Sequence, residues 1–172
     1  MRIIYHSRHK AKNAPPWCEY FADVEDMLGQ ADVLSIHVPL TADTQGLVGE
    51  KWIRSLKKGA IIINTARGKL IDENAMIKAL EDGHVHLSLS AFSSPHSLII
   101  CHCKISSIGL DVYPNEPDVN PRLLEFDQVT LLPHMGTEDQ DTQHKMEIRA
   151  LTNLRDFLIK GQGMDLIPEM RS

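Results

Sequence analysis

The stretch Ala60-Ile61-Ile62-Ile63-Asn64-Thr65-Ala66-Arg67-Gly68 joins an apolar run to a short polar turn. Three consecutive β-branched isoleucines predict a strand that is buried on both faces. Asp72 or Glu73 then opens a predicted helix that ends at Gly83. The apolar face of this helix is formed by Ala75, Met76, Ala79 and Leu80. A buried strand followed by an amphipathic helix is typical of a parallel sheet that is covered by helices.

The same alternation continues on both sides of this unit. We expect further strands at 2–6, 32–38, 108–112 and 129–133, and further helices at 23–29, 49–58 and 137–160. Asp23 is the expected cap of the first helix, and Gly161 ends the last. The predicted fold class is therefore α/β, a doubly wound, Rossmann-like parallel sheet. Because the strand at 2–6 has no helix or turn before it, we expect the domain to be truncated at its N-terminus.

Composition and charge argue against several functional classes. The net charge of −5 and the pI near 6.0 give no positive field for nucleic acid or anionic lipid. No apolar run approaches the roughly 18 residues that a membrane span needs, and the N-terminus lacks the form of a signal peptide, so we expect a cytoplasmic protein. Three cysteines without framework spacing do not predict a disulfide scaffold.

Several residues, most of them polar, follow the predicted strands at the ends where a doubly wound sheet binds its ligands. They are Ser7 and Arg8, Pro39, Thr65 to Arg67, Asp111, and His134. Their shared position predicts one site at this edge of the sheet. The fold alone does not determine the chemistry of that site.

Four motifs carry a resemblance to a known family. They are Asn64–Gly68, Gly109–Val112, Asn115–Pro117 and Pro133–Gly136, which in order and approximate spacing resemble the nicotinamide-binding domain of D-isomer-specific 2-hydroxyacid dehydrogenases. The likeness runs from position 2 to about position 163 with one interruption. The opening Tyr5–Arg8 looks most like the glyoxylate/hydroxypyruvate reductase branch. The resemblance implies reduction of a small 2-oxo acid by a nicotinamide cofactor, and a homodimer.

The residue types fit that chemistry. The guanidinium of Arg67 can bind a substrate carboxylate through two parallel hydrogen bonds, and Gly68 leaves room for close approach. His134 can donate a proton to the substrate ketone, and Glu116 can hold the other ring nitrogen and favour the protonated imidazole. The resemblance identifies Arg67, Glu116 and His134 with the catalytic triad of the family.

The same resemblance implies a set of cofactor contacts. Asp111 is expected to hydrogen-bond the carboxamide of the nicotinamide, Thr65 and Ala66 to present backbone near it, and Pro39 and Thr44 to line the adenosine side. The full expected set is Ser7, Arg8, Pro39, Thr44, Thr65, Ala66, Arg67, Asp111, His134 and Gly136.

Cofactor choice depends on the residues after the first strand. No acidic residue is present there to bond a ribose 2′-hydroxyl, and Arg8 with Lys10 suits a 2′-phosphate. NADP(H) is therefore the favoured cofactor, and NAD(H) stays open.

The sequence departs from the family pattern before its first strand. The glycine-rich pyrophosphate loop is absent, and the only Gly-x-Gly, at 161–163, follows a helix. In the strand order 3-2-1-4-5-6 the missing first strand is central. Either the strands at 2–6 and 32–38 pair directly, or the fragment folds poorly.

A second departure is the segment 86–105, about twenty residues where a connection of two to six is usual. It contains no acid and no glycine, and its removal restores the family pattern. We interpret it as a translated retained intron that forms a disordered loop, with a true insertion as the alternative. Its Cys101-His102-Cys103 is too closely spaced to close a zinc site alone, so no metal site is expected.

These observations leave three hypotheses. The first is a dehydrogenase whose cofactor domain spans 1–163, with a short tail at 164–172. The second is a binding or dimerisation module without catalysis. The third is a splicing artefact without a stable product. We expect the chain by itself to be inactive, because the glycine loop and the substrate-binding domain are missing.

Overall fold

The named strands of the computed structural model, which is described for residues 1–84 and 105–166, pair in parallel. In the described residues they are β1 (Ile3–Tyr5), β2 (Cys18–Tyr20), β3 (Val33–Ile36), β4 (Ala60–Asn64), β5 (Ile105–Leu110) and β6 (Val129–Leu131). The helices are α1 (Val24–Leu28), α2 (Glu50–Ser55), α3 (Glu73–His84) and α4 (Gln140–Lys160), with 3₁₀ turns at Gly68–Leu70 and Pro121–Glu125. The predicted α/β class with a parallel, Rossmann-like sheet is confirmed. The chain divides into two compact units, Met1–His134 and Met135–Ser172.

The larger sheet of the first unit has the order β3-β4-β5-β6. β4 lies inside it, and Ile62 pairs with Leu34 on one side and with Ile108 on the other. Ile62, like Ile108, is almost completely buried. The isoleucine run of β4 is therefore the buried strand that its sequence predicts, and its carboxyl end delivers Asn64 to the sheet edge.

The helices around this sheet follow their sequence signals with small differences. Asp23 Oδ1 accepts the Glu25 amide at 2.7 Å, as expected of the α1 cap. α2 ends at Ser55, three residues before the expected end, because Leu56 is already extended and Gly59 turns the chain with a φ of +80°. α3 buries Met76 and Leu80 as expected, and also Ile77, which the sequence analysis left off the apolar face.

A smaller sheet pairs β1 with β2, so the first of the two alternatives, direct pairing of β1 with the strand at 32–38, is wrong. Ile3 pairs with Cys18 and Tyr5 with Tyr20. β2 was not expected from the sequence, because only three residues alternate there. β2 offers β1 a nearby parallel partner, which satisfies one edge of that strand. Poor folding of the chain stays a prediction.

β5 begins at Ile105, three residues earlier than expected. Ile105 is 2% exposed and pairs with Ala60. It was interpreted as the last residue of the inserted segment, but burial against β4 places it in the sheet. Positions 86–104 of that segment, which include the Cys101-His102-Cys103 triplet, lie outside the described residues, so the loop and retained-intron interpretations stay predictions.

The second unit is built on α4. Asp139 caps its start by accepting the Thr142 amide at 2.9 Å, so the helix begins three residues after the expected position 137. Gly161 ends it with a φ of +70°, as expected. Arg149 pairs with Asp165, which holds the chain beyond the helix. None of the helices in the described ranges is long and apolar enough to cross a membrane.

Candidate active site

The turn that carries Arg67 is held by the buried side chain of Asn64. Asn64 is 0% exposed at the end of β4. Its Nδ2 donates to the Arg67 carbonyl at 2.9 Å, and its Oδ1 accepts the Ala66 amide at 3.1 Å. A buried amide needs both kinds of partner, and the turn supplies them. The position of the Arg67 backbone is therefore fixed by the end of the central strand.

Gly68 brings this turn against the chain that follows β5. A Cβ on Gly68 would overlap the carbonyl of Tyr113 and the nitrogen of Pro114. Only glycine permits such an approach. The room that was expected beside Arg67 is thus used by the protein's own backbone. The Arg67 side chain is exposed, and its Nη1 donates to the Ala66 carbonyl at 2.6 Å.

Glu116 and His134 form a hydrogen-bonded pair. His134 Nδ1 lies 2.7 Å from Glu116 Oε2, and the two side chains are 52% and 35% exposed, His134 being the more exposed. The other carboxylate oxygen, Oε1, accepts the Tyr113 amide at 2.8 Å. A carboxylate held on Nδ1 sets the orientation of the ring and leaves Nε2 for another partner.

The pKa of the Glu116 carboxyl is lowered from its ordinary value. The hydrogen bond from His134 is the largest cause, followed by the bond from the Tyr113 amide. The positive charges of His134 and Arg67 act in the same direction, and partial desolvation opposes them. Glu116 is therefore an anion at neutral pH, and the charge of Arg67 reaches the pair.

His134 has a left-handed backbone with a φ of +56°. This region is unfavourable for a residue with a Cβ and is kept only where the surroundings determine it. The preceding residues supply such surroundings, because the Leu132 amide donates to the Leu110 carbonyl at 2.8 Å and the Leu132 carbonyl accepts the Tyr113 hydroxyl at 2.7 Å.

A cleft of about 570 Å³ opens beside the Arg67 turn. It is lined by His37, Val38, Pro39, Leu40, Ala66 and Arg67. Pro39, Ala66 and Arg67, which the sequence analysis placed at a cofactor, thus share one cavity. Thr44 is not among the residues that line this cleft. Its hydroxyl donates to the Pro39 carbonyl at 2.7 Å, and its contact with the adenosine stays a prediction.

The other expected cofactor residues are distributed unequally. Asp111 is 4% exposed, and its amide donates to the Asn64 carbonyl at 3.0 Å, so it lies next to the Arg67 turn together with Thr65. Ser7 and Arg8 follow β1 of the smaller sheet, where the Ser7 hydroxyl donates to the His9 carbonyl at 2.7 Å. Gly136 belongs to the second unit.

Comparison with known proteins shows the family of this chain. Residues 1–90 match the model of the D-isomer specific 2-hydroxyacid dehydrogenase NAD binding domain, which is more than half of the chain. The chain belongs to this family. The resemblance that the four motifs carry is thereby confirmed, and the family is one of nicotinamide-dependent oxidoreductases.

Individual relatives of the 2-hydroxyacid dehydrogenase family match the whole chain. The 4-methyl-2-oxopentanoate reductase A of Aspergillus oryzae is 37% identical over 172 residues, which cover 100% of this chain and 46% of that protein. The crystal structure of a glyoxylate reductase from Paecilomyes thermophila superposes with a TM-score of 0.80 at 39% identity, over 99% of this chain and 46% of the other. The crystal structure of an NADPH-dependent glyoxylate/hydroxypyruvate reductase from Sinorhizobium meliloti, in complex with NADP and malonate, superposes with a TM-score of 0.78 at 28% identity. The match covers 97% of this chain and 46% of the other. The chain spans a little under half the length of these relatives.

Some residues of this candidate site were not singled out from the sequence. Asn64 was interpreted only as part of a motif, and its burial gave no sequence signal because polar residues are usually exposed. Tyr113 was missed because an aromatic residue after a strand is most often simply core. Pro39 is flanked in the cleft by His37, Val38 and Leu40. Their position after a buried strand was the sequence feature that could have placed them at the site.

Proposed function

We propose that this chain supplies the catalytic side chains of a reductase that converts a small 2-oxo acid, of the glyoxylate or hydroxypyruvate type, to the D-hydroxy acid. The observation that carries the proposal is the convergence of a cation and a carboxylate-bound imidazole at one sheet edge: Arg67, and the Glu116–His134 pair. The family of the chain and the printed names of its relatives support the reaction type.

Arg67 binds the carboxylate of the substrate in this proposal. Its guanidinium presents paired donors to two carboxylate oxygens and keeps its charge at any physiological pH. The present bond to the Ala66 carbonyl uses only Nη1. The remaining donors are enough for a fork-shaped contact.

His134 donates the proton. With Nδ1 bonded to Glu116, the protonated Nε2 faces the substrate oxygen, polarises the ketone and releases its proton as the oxygen gains charge. A bound nicotinamide cofactor supplies the hydride that reaches the carbonyl carbon. The Glu116 anion stabilises the protonated imidazole before transfer, and in the oxidative direction His134 accepts the proton again.

NADP(H) is the cofactor that we propose. The cleft at Pro39 and Ala66 offers an open wall for a nicotinamide nucleotide beside Arg67, and Asp111 lies behind the same turn. Ser7 and Arg8, with Lys10 nearby, offer a hydroxyl and cations for a 2′-phosphate without an acidic side chain between them. The related Sinorhizobium meliloti structure contains NADP.

Turnover by the whole reductase with NADPH and a 2-oxo acid tests the roles. We expect His134→Ala to lower kcat by about a thousandfold while NADPH binding is kept, and Arg67→Ala to raise KM for the acid strongly. His144→Ala and Arg54→Ala are matched controls on surface helices and should leave both constants unchanged. Near-normal rates in His134→Ala would refute the role of His134 as the proton donor.

A fluorescence titration of the whole protein with NADPH, combined with the turnover assay, separates this proposal from the non-catalytic alternative. Binding by a whole protein that never turns over a 2-oxo acid would favour a binding or dimerisation module. We further propose that the whole protein is a cytoplasmic homodimer with its cofactor domain at 1–163. Light scattering tests the homodimer, and cell fractionation tests the location.

A further inference from the structure

Tyr113 contacts each of the three segments that carry the candidate catalytic side chains. It follows β5 and is 7% exposed. Its amide donates to Glu116 Oε1 at 2.8 Å, and its hydroxyl lies 2.7 Å from the Leu132 carbonyl. Its own carbonyl lies against Gly68. One buried residue thus connects the segments of Arg67, Glu116 and His134.

The hydroxyl bond is specific to tyrosine. The oxygen lies 3.4 Å from the Leu110 carbonyl and 2.7 Å from the Leu132 carbonyl. A phenol has a single proton, which the shorter bond takes. Leu132 comes directly after β6 and two residues before His134. The hydroxyl therefore anchors the chain where its strand pairing ends and before its backbone enters the left-handed region.

The contact with Gly68 connects Arg67 to the same residue. Because no Cβ fits between Gly68 and the Tyr113 carbonyl, the Arg67 turn rests directly on that peptide. Asn64 fixes the other side of the turn. A shift of the Tyr113 backbone would therefore move both the Arg67 turn and the amide that holds Glu116.

We propose that Tyr113 is the positioning residue that sets Arg67, Glu116 and His134 relative to one another, an inference that rests on the proposed reductase function. Tyr113 does not contact the substrate. It acts through Glu116 on one side, through the Leu132 carbonyl on the second and through Gly68 on the third. Its hydroxyl is the part that a phenylalanine lacks.

The first experiment uses the 172-residue chain and needs no activity. The titration of the Glu116 carboxyl is followed by ¹³C NMR in the wild type, in Tyr113→Phe and in Tyr20→Phe. In Tyr113→Phe we expect the pKa of Glu116 to rise toward its ordinary value. Without the anchor at Leu132, the hydrogen bond between His134 and Glu116 should be broken part of the time. Tyr20→Phe loses a comparable bond, from its hydroxyl to the Ser7 carbonyl, and should leave the Glu116 titration unchanged.

Gly68→Ala provides a second test that does not depend on the folding of Tyr113→Phe. A methyl group at this position should displace the Tyr113 peptide and speed hydrogen exchange of its amide at least roughly tenfold. Gly29→Ala is the control, because its Cβ would meet only ordinary contacts. A folded Tyr113→Phe with the wild-type Glu116 titration, or unchanged exchange in Gly68→Ala, would overturn the proposal.

Kinetics of the whole reductase separate this inference from the proposed function. We expect Tyr113→Phe to lower kcat roughly tenfold with KM for the 2-oxo acid nearly unchanged, since a misplaced proton donor affects the transition state. Gly68→Ala should mainly raise that KM through Arg67. A wild type without turnover would refute the reductase function, while the NMR result would still decide whether Tyr113 positions the pair.

Discussion

The two parallel sheets of the first unit hold their functional candidates in different ways. The four-stranded sheet ends at Arg67, Asp111 and His134, and buried groups such as Asn64 hold these ends. The two-stranded sheet ends at Ser7 and Arg8. Its side-chain contacts include the exposed ion pair of Arg2 with Glu19 at 2.6 Å and the part-buried bond from the Tyr20 hydroxyl to the Ser7 carbonyl at 3.2 Å.

The difference separates two kinds of positioning. Buried hydrogen bonds that are satisfied on every atom restrict a turn strongly, whereas exposed ion pairs contribute little. The candidate catalytic residues at the end of the larger sheet are therefore held mainly by its core. The residues that we propose for the 2′-phosphate depend on a short sheet with few buried contacts, where adaptation is less costly.

Truncation of a core side chain in each sheet should show the largest contrast. Ile62→Ala removes a fully buried side chain from β4 and should lower the free energy of unfolding by about 4 kcal/mol. Ile4→Ala, in the half-buried β1, should cost about 1 kcal/mol. Urea unfolding monitored by circular dichroism measures both. Equal losses would mean that the two sheets are equally important for the core.

Ile62→Val is the milder companion if Ile62→Ala does not fold. It removes one methylene and should lower the free energy of unfolding by about 1 kcal/mol. That loss is comparable with the loss expected from Ile4→Ala.

Removal of polar contacts should again destabilise the four-stranded sheet more than the two-stranded sheet, with smaller losses of unfolding free energy. Asn64→Ala leaves the Ala66 amide and the Arg67 carbonyl without partners and should cost about 2 kcal/mol. Arg2→Ala breaks two exposed contacts, the ion pair with Glu19 and the hydrogen bond from Nη1 to Gln30 Oε1 at 3.0 Å, and should cost about 0.5 kcal/mol. If Asn64→Ala proved as mild as Arg2→Ala in thermal unfolding, the turn would be held by something other than this amide.

The same contrast explains what the sequence could predict. β4 and its polar turn were predicted with their observed bounds, because a run of isoleucines has few other stable environments than a buried strand. Asp23 and Gly161 marked helix ends, since capping depends on local chemistry. Arg67, Glu116 and His134 were identified through motifs, and the structure brings them to one sheet edge.

The remaining features depend on contacts between distant segments. β2 has three residues and takes its conformation from β1, so local pattern gave no signal. Ile105 belongs to a strand because Ala60 lies beside it, which a single sequence does not show. The link from Tyr113 to Leu132 crosses nineteen positions of the chain for the same reason.

Charge reversal after β1 should have an intermediate effect that concerns binding instead of stability. Arg8→Glu places a carboxylate where we propose the 2′-phosphate and should weaken NADPH binding about tenfold relative to NADH. Fluorescence titration of the whole protein with both nucleotides measures the ratio of the two affinities. Lys58→Glu is the control, because it changes the net charge equally at a turn far along the chain. An unchanged ratio would remove Arg8 from the cofactor site.

The smallest expected effect is a pH dependence of the free energy of unfolding that comes from Glu116, near the end of the larger sheet. Because the pKa of Glu116 is lowered in the folded chain, mainly by the His134 bond, its ionised form stabilises the native state. That contribution is fully present above the ordinary pKa of a glutamate and is lost as pH falls through the lower folded value. Glu116→Gln should therefore flatten the acid side of the stability profile between about pH 5 and pH 3.

Denaturant unfolding at each pH measures this slope, with Glu19→Gln as the matched change on the smaller sheet. The amide side chain introduced by Glu116→Gln would still accept the hydrogen bond from the Tyr113 amide, but it would carry no charge. The substitution therefore removes the titration of the carboxyl while it keeps the contact with Tyr113. A wild-type slope in Glu116→Gln would mean that the pair with His134 orients the imidazole without contributing to the stability of the fold.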